Sequence, residues 1–108
     1  MNKTIKSSVF PIELFIDDQK SIKLLVHKIE PIGLLAQPQE KILLPLGKNF
    51  LVKICLPQSQ SLYQAHMKVV RHIDQINKPH YVELHFWGSP PSALINAITR
   101  FNLTIRYK

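Results

Sequence analysis

A single cysteine, Cys55, stands in 108 residues. One thiol cannot form an intramolecular disulfide and cannot build a thiolate zinc cage. The reading that needs least is a reducing compartment, the cytoplasm. No stretch approaches the roughly 18 consecutive apolar residues of a membrane-spanning helix, so no membrane span is expected. Residues 1–8 start basic but lack the apolar core and small-residue cleavage site of a signal peptide; they read as a flexible arm. The chain has three glycines. They form neither a Walker loop nor a dinucleotide-binding set, and G-x-S-x-G and H-E-x-x-H are also absent. No catalytic residue and no cofactor follow, and the expectation is a protein that is not an enzyme. Acidic residues are few: 7 Asp and Glu against 14 Lys and Arg, a formal charge of +7.

That excess is dispersed. Lysines run from Lys3 to Lys108, and the arginines are Arg71, Arg100 and Arg106, with no five-residue window dominated by them. Such spacing reads first as a solvated surface, although the charge permits a phosphate-bearing ligand. A small basic nucleic-acid-binding barrel of the OB type is a further alternative. The chain shows no clear basic and aromatic stripe for it, so nucleic acid is not favoured.

Period-two alternation dominates the first four fifths of the chain. Phe10–Ile16 and Ser21–Ile29 flank the polar turn Asp17-Asp18-Gln19-Lys20 and read as a hairpin. Pro11 has no amide to donate, so the first strand should be an edge strand or begin there, and an exposed edge could pair with a second copy. Glu30-Pro31-Ile32-Gly33 is turn chemistry, with Gly33 free to take a positive φ. Leu34–Ala36, Asn49–Leu56, Tyr63–Asp74 and Tyr81–Trp87 read as four more strands. Within the fifth, Val69-Val70-Arg71-His72 breaks alternation and suggests a bulge. Leu44-Pro45-Leu46-Gly47-Lys48 is a turn before the fourth strand.

The period then changes. Apolar residues at 94, 95, 98 and 101 mark a helix over 90–102, with Ser89 as N-cap and Pro90 in the first position. Residues 103–108 read as a tail or one more short strand. The pieces fit one domain spanning 1–108: mainly β, a six-stranded antiparallel barrel with a C-terminal helix.

Several residue groups qualify as candidate chemistry. Asp17-Asp18 sits at a turn, where an Asx turn explains it. The five histidines offer no tight metal-ligand spacing. Cys55 reads as a small packing residue. Trp87, opposite Leu84 and Phe86 by parity, is a candidate interaction anchor.

In order and spacing the pieces from Val26 to Phe101 resemble a PilZ domain. They are Lys28-Ile29-Glu30-Pro31-Ile32-Gly33-Leu34-Leu35, Leu46-Gly47-Lys48, Val52-Lys53-Ile54-Cys55-Leu56-Pro57, Lys68-Val69-Val70-Arg71, Tyr81-Val82-Glu83-Leu84-His85-Phe86 and the closing amphipathic helix. The resemblance implies a six-stranded barrel, and in many members it implies binding of the bacterial messenger cyclic di-GMP. There an Arg-x-x-x-Arg before the first strand grips phosphates, and an Asp/Asn-x-Ser-x-x-Gly turn after the second binds a guanine edge.

This chain departs from both motifs. No arginine precedes Arg71, and Lys3 and Lys6 offer point charges instead. Lys28 stands for Asp/Asn, Glu30 stands for Ser, and Gly33 is retained. Each lost charge-assisted bond is worth about 1.5–3 kcal/mol, so losing two arginines costs orders of magnitude in affinity. The resemblance therefore implies a non-enzymatic adaptor for a protein of motility, type IV pilus or secretion machinery. Its partner-binding candidates are Trp87, Arg71 and Arg100. If cyclic di-GMP binds, the candidates are Lys3, Lys6, Lys28, Glu30 and Gly33.

Overall fold

The computed structural model describes residues 9–57 and 59–106 of the chain. Its elements are β1 (Phe10–Phe15), β2 (Ser21–Glu30), β3 (Gly33–Pro38), β4 (Asn49–Ile54), β5 (Tyr63–Ile73), β6 (Tyr81–Phe86) and α1 (Ser92–Arg106). The strands close into a barrel in the order β1-β2-β3-β6-β5-β4, with every neighbouring pair antiparallel. Alternation explains the interior. Leu14, Leu24, Val52, Met67 and Leu84 are fully buried, while their strand neighbours face outward, and no polar or charged side chain is buried among the described residues.

Closure makes β1 a ring member rather than a full edge strand. The other expectation for Pro11 holds, since the strand begins beside it at Phe10. Pro11 lies opposite Leu25 of β2, but β4 pairs with β1 only from Glu13 to Phe15. Proline is tolerated because its half of the strand has no register partner on the β4 side. From Glu13 to Phe15, β1 is paired on both sides and offers no free edge to a second copy.

Two bulges break the barrel's alternation. The register shifts between Val69 and Arg71, as the double valine predicts, and also between Val26 and Lys28. Val26 and Val69 point inward, so strict alternation would send Lys28 and Arg71 inward as well. The extra residue at His27 and at Val70 turns both cations to the outer face, together with Glu30.

The helix covers one barrel end. Leu94 and Ile98 are fully buried there, and Phe101 meets Phe10 edge to face with ring centroids 5.6 Å apart. The Asn102 side-chain amide donates to the Ile29 carbonyl at 2.8 Å. The expected start at Pro90 with Ser89 as cap is wrong. The Pro91 carbonyl accepts from Leu94 and Ile95, and the helix begins at Ser92. A residue before proline is pushed out of the helical region, so Pro90 cannot be helical ahead of Pro91. The helix also continues past 102 to Arg106, because a closed barrel offers no strand for 103–106 to pair with.

Segment 39–48 covers the opposite end, with Leu44 buried in the core. The Leu44 carbonyl accepts a 2.7 Å bond from His72 Nε2. A carbonyl cannot donate, so His72 carries its proton on Nε2. The other ring nitrogen, His72 Nδ1, lies 3.0 Å from His80 Nε2. The two rings stack with centroids 5.0 Å apart.

The smaller expectations divide. The turn expected over 44–48 forms, and Gly47 takes a left-handed conformation in it, with φ at 81°. Asp17 forms the Asx turn, its Oδ1 accepting from the Gln19 amide at 2.8 Å. Gly33 does not take a positive φ; the glycines that do are Gly47 and Gly88. Cys55 is exposed rather than packed, its Sγ 3.5 Å from the Ser59 carbonyl.

Candidate ligand groove on the outer barrel face

The strand registers lay out the outer surface in rows. One row runs Lys28, Leu35, Glu83, Arg71 across β2, β3, β6 and β5. The next runs Glu30, Gly33, His85, Lys68. Gly33 has no side chain, so the second row is hollow at its centre. A groove of about 200 Å³ lies over it, walled by Lys28, Glu30 and Ile32 on one side and by Arg71, Glu83 and His85 on the other.

Packing also requires that glycine. A Cβ at position 33 would overlap the Leu84 carbonyl oxygen and stand 2.9 Å from the His85 Cα. Ordinary side chains in a ladder have room for a Cβ. Here β3 and β6 approach so closely that they exclude one. Gly33 is thus explained by a close backbone approach, and the hollow follows from it.

The charges in the groove compensate one another. Arg71 Nη2 lies 2.8 Å from Glu83 Oε1, and His85 Nε2 lies 2.8 Å from Glu83 Oε2. Lys28 Nζ lies 3.4 Å from Glu30 Oε2. The hydrogen bond from His85 is the main cause holding the Glu83 carboxyl below its usual range. Partial burial opposes that shift, and Arg71 adds to it. A depressed carboxyl contributes stability above its ordinary pKa of 4.5 and loses it as pH falls through the lower folded value. Glu83→Gln should therefore lower stability by about 0.5–1 kcal/mol at pH 7, the range of partly exposed pairs. Urea unfolding at pH 7 and pH 3 checks this, since the difference between variant and parent should shrink at the lower pH.

The structure brings Lys28, Glu30, Gly33 and Arg71 to this one groove. Trp87 follows directly after β6, 53% exposed, its backbone amide donating to the His66 carbonyl at 2.9 Å. Ile32, 63% exposed, is linked to the neighbouring residue of that chain, since its carbonyl accepts from the Phe86 amide. Arg100 lies elsewhere, in a separate groove between α1 and segment 56–63. Lys3 and Lys6 fall outside the described residues. Sequence reasoning missed Glu83 and His85. Their spacing of two on an alternating strand already places them on one face, opposite inward Val82 and Leu84. Among the described residues, no three His, Cys, Asp or Glu side chains group as metal ligands.

No family model matches the chain, and no curated protein matches it. Among solved structures, the PilZ domain with c-di-GMP of YcgR from Escherichia coli superposes with a TM-score of 0.65. The superposition covers 94% of this chain and 92% of that chain at 12% sequence identity. The fold, a closed six-stranded barrel with a C-terminal helix, is PilZ-like.

Proposed function

From a PilZ-like barrel as premise, we propose that the chain is a module of bacterial cyclic di-GMP signalling that acts by protein contact. It serves a motility or secretion system in the cytoplasm, is not an enzyme, and has weak or lost nucleotide binding. One observation carries the reading: the groove's Lys28 and Arg71 are already paired with carboxylates. Lys28 faces Glu30 and Arg71 faces Glu83. A cyclic dinucleotide carries two phosphate charges. At the turn where the resemblance puts a guanine-binding Asp/Asn and Ser, it would meet Lys28 and the Glu30 carboxylate, with the Glu83 carboxylate of β6 also lining the groove. A phosphate that approached Arg71 would meet a guanidinium whose charge the Glu83 carboxylate already compensates. Trp87 and Ile32 offer exposed apolar area beside the groove for a protein partner.

Titration with cyclic di-GMP, followed by calorimetry and amide NMR shifts, tests the reading. The expected result is no saturable binding up to about 0.5 mM, a standard free energy weaker than roughly 4.5 kcal/mol. Saturable binding at micromolar ligand, with shifts at Lys28 and Gly33, would overturn it. That outcome would support the alternative, a receptor using Lys3, Lys6 and Lys28 in place of arginines.

A further inference from the structure

The groove holding Arg100 has different chemistry from the one over Gly33. It lies between α1 and segment 56–63, with a volume of about 290 Å³. Its polar lining residues are Arg100, Ser59, Ser61, Tyr63 and Thr104, and its apolar ones include Leu56 and Phe101. No carboxylate is among its described lining residues. Arg100 is exposed and makes no ion pair among the described residues, whereas Arg71 and Lys28 both do.

The walls are held by bonds that leave donors over. Thr104 Oγ1 donates to the Arg100 carbonyl at 3.0 Å, which ties that hydroxyl to the helix. Ser59 Oγ accepts from the Ser61 amide at 3.2 Å, which uses a lone pair and leaves its O–H free. Ser61 and Tyr63 hydroxyls have no hydrogen-bond partner among the described residues. The residues around the groove therefore carry a planar fork of N–H donors and three hydroxyl donors, around space for roughly ten water volumes.

We propose that this groove binds a phosphate monoester, with Arg100 as the fork and Ser59, Ser61 and Tyr63 as flanking donors. A monoester at neutral pH carries nearly two charges and three acceptor oxygens, which matches a fork plus several hydroxyls. A carboxylate has two oxygens and one charge, and leaves the hydroxyls unused. The chain's +7 charge raises the local concentration of any anion. The site shares no lining residue with the groove over Gly33, so it stands whether or not cyclic di-GMP binds.

The same chemistry can arrive as free phosphate or as a phosphorylated side chain of a protein. The test uses the full chain, isotope-labelled, at fixed pH and ionic strength. The titrants are inorganic phosphate, O-phosphoserine, a short phosphoserine peptide, and acetate as control. The expected result is saturable shifts of the Arg100 side-chain Nε–H and of the Ser59 and Ser61 amides, at millimolar O-phosphoserine. Arg100→Gln should weaken this binding at least tenfold, the loss of about one charge-assisted bond. A phosphopeptide binding at least tenfold tighter than inorganic phosphate assigns the site to a phosphorylated protein. Equal binding assigns it to the free anion. Either supports the site. Non-saturating shifts, shifts that persist in Arg100→Gln, or an equal response to acetate would overturn it. If Arg100→Gln fails to fold, Ser61→Ala at the exposed wall serves in its place, with the same shifts expected to weaken.

Discussion

Gly33→Ala should leave the barrel barely folded. The new methyl group would lie on the Leu84 carbonyl oxygen and 2.9 Å from the His85 Cα. Both neighbours are backbone atoms of β6, held between β3 and β5 in the closed barrel. No flexible side chain can move aside, so relief requires separating β3 from β6 along a register that runs from Gly33 to Ala36. Overpacking against side chains costs about 1–3 kcal/mol, and a backbone clash belongs at or above the top of that range. At about 3 kcal/mol, a domain of this size loses roughly 12–24 °C in melting temperature. Gly88→Ala is the matched control. Its Cβ would meet nothing within 4 Å, and its cost is the left-handed backbone, φ 77°, alone. That strain is about 1–2 kcal/mol. Thermal unfolding of the two variants decides the matter. Equal losses would sink the claim that close approach, and not backbone conformation, fixes glycine at 33.

Leu44→Ala should cost about 2–5 kcal/mol, the range for a buried leucine whose cavity only partly collapses. The size is unexpected for a residue outside any strand or helix. Leu44 is 1% exposed, while adjacent Leu43 is 74% exposed. Its backbone is held by the His72 bond, so the 39–48 segment cannot readily slide inward to fill the space. Leu43→Ala should change stability by less than about 0.5 kcal/mol, as expected at a surface position. Denaturant titration of the pair separates a core residue from a loop residue. A small loss in both variants would mean that 39–48 does not close the barrel end.

The strands were legible in the sequence because alternation is a local property. Phe10, Ile12 and Leu14 show it within one strand, and the barrel confirms it. The phase change at His27 was not legible. Leu24-Leu25-Val26 is a run of apolar residues, and a run hides where the inward parity shifts. At Val70 the second valine, followed by Arg71, gave the shift away. Gly33 was recognised as special for the wrong reason, since positive φ and a close approach both demand glycine and look alike in sequence. The burial of Leu44 and the double pairing of β1 depend on ring closure. Closure joins β1 to β4 across about 40 positions of chain, and no local pattern encodes it. At the groove, Lys28, Glu30 and Gly33 were reachable through the resemblance. The Arg71–Glu83 pair needed the β5–β6 register, which the bulge sets.

The closed ring also separates two tasks along the chain. Each strand has a neighbour on both sides in the ring. β1 lacks a partner on the β4 side only before Glu13, where Pro11 removes an amide. The barrel therefore has little strand edge to lend to another molecule. Recognition is left to side chains on the outer rows. Those side chains contribute little to the interior, and exposed substitutions there change stability by only about 0.5 kcal/mol. A surface of this kind can exchange a dinucleotide for a protein, or lose one ligand and acquire another, while the inner set of residues stays as it is. Gly33 is the exception, because one missing side chain both lets β3 meet β6 and shapes the hollow above them. Of the residues in that groove, it has the least freedom to change.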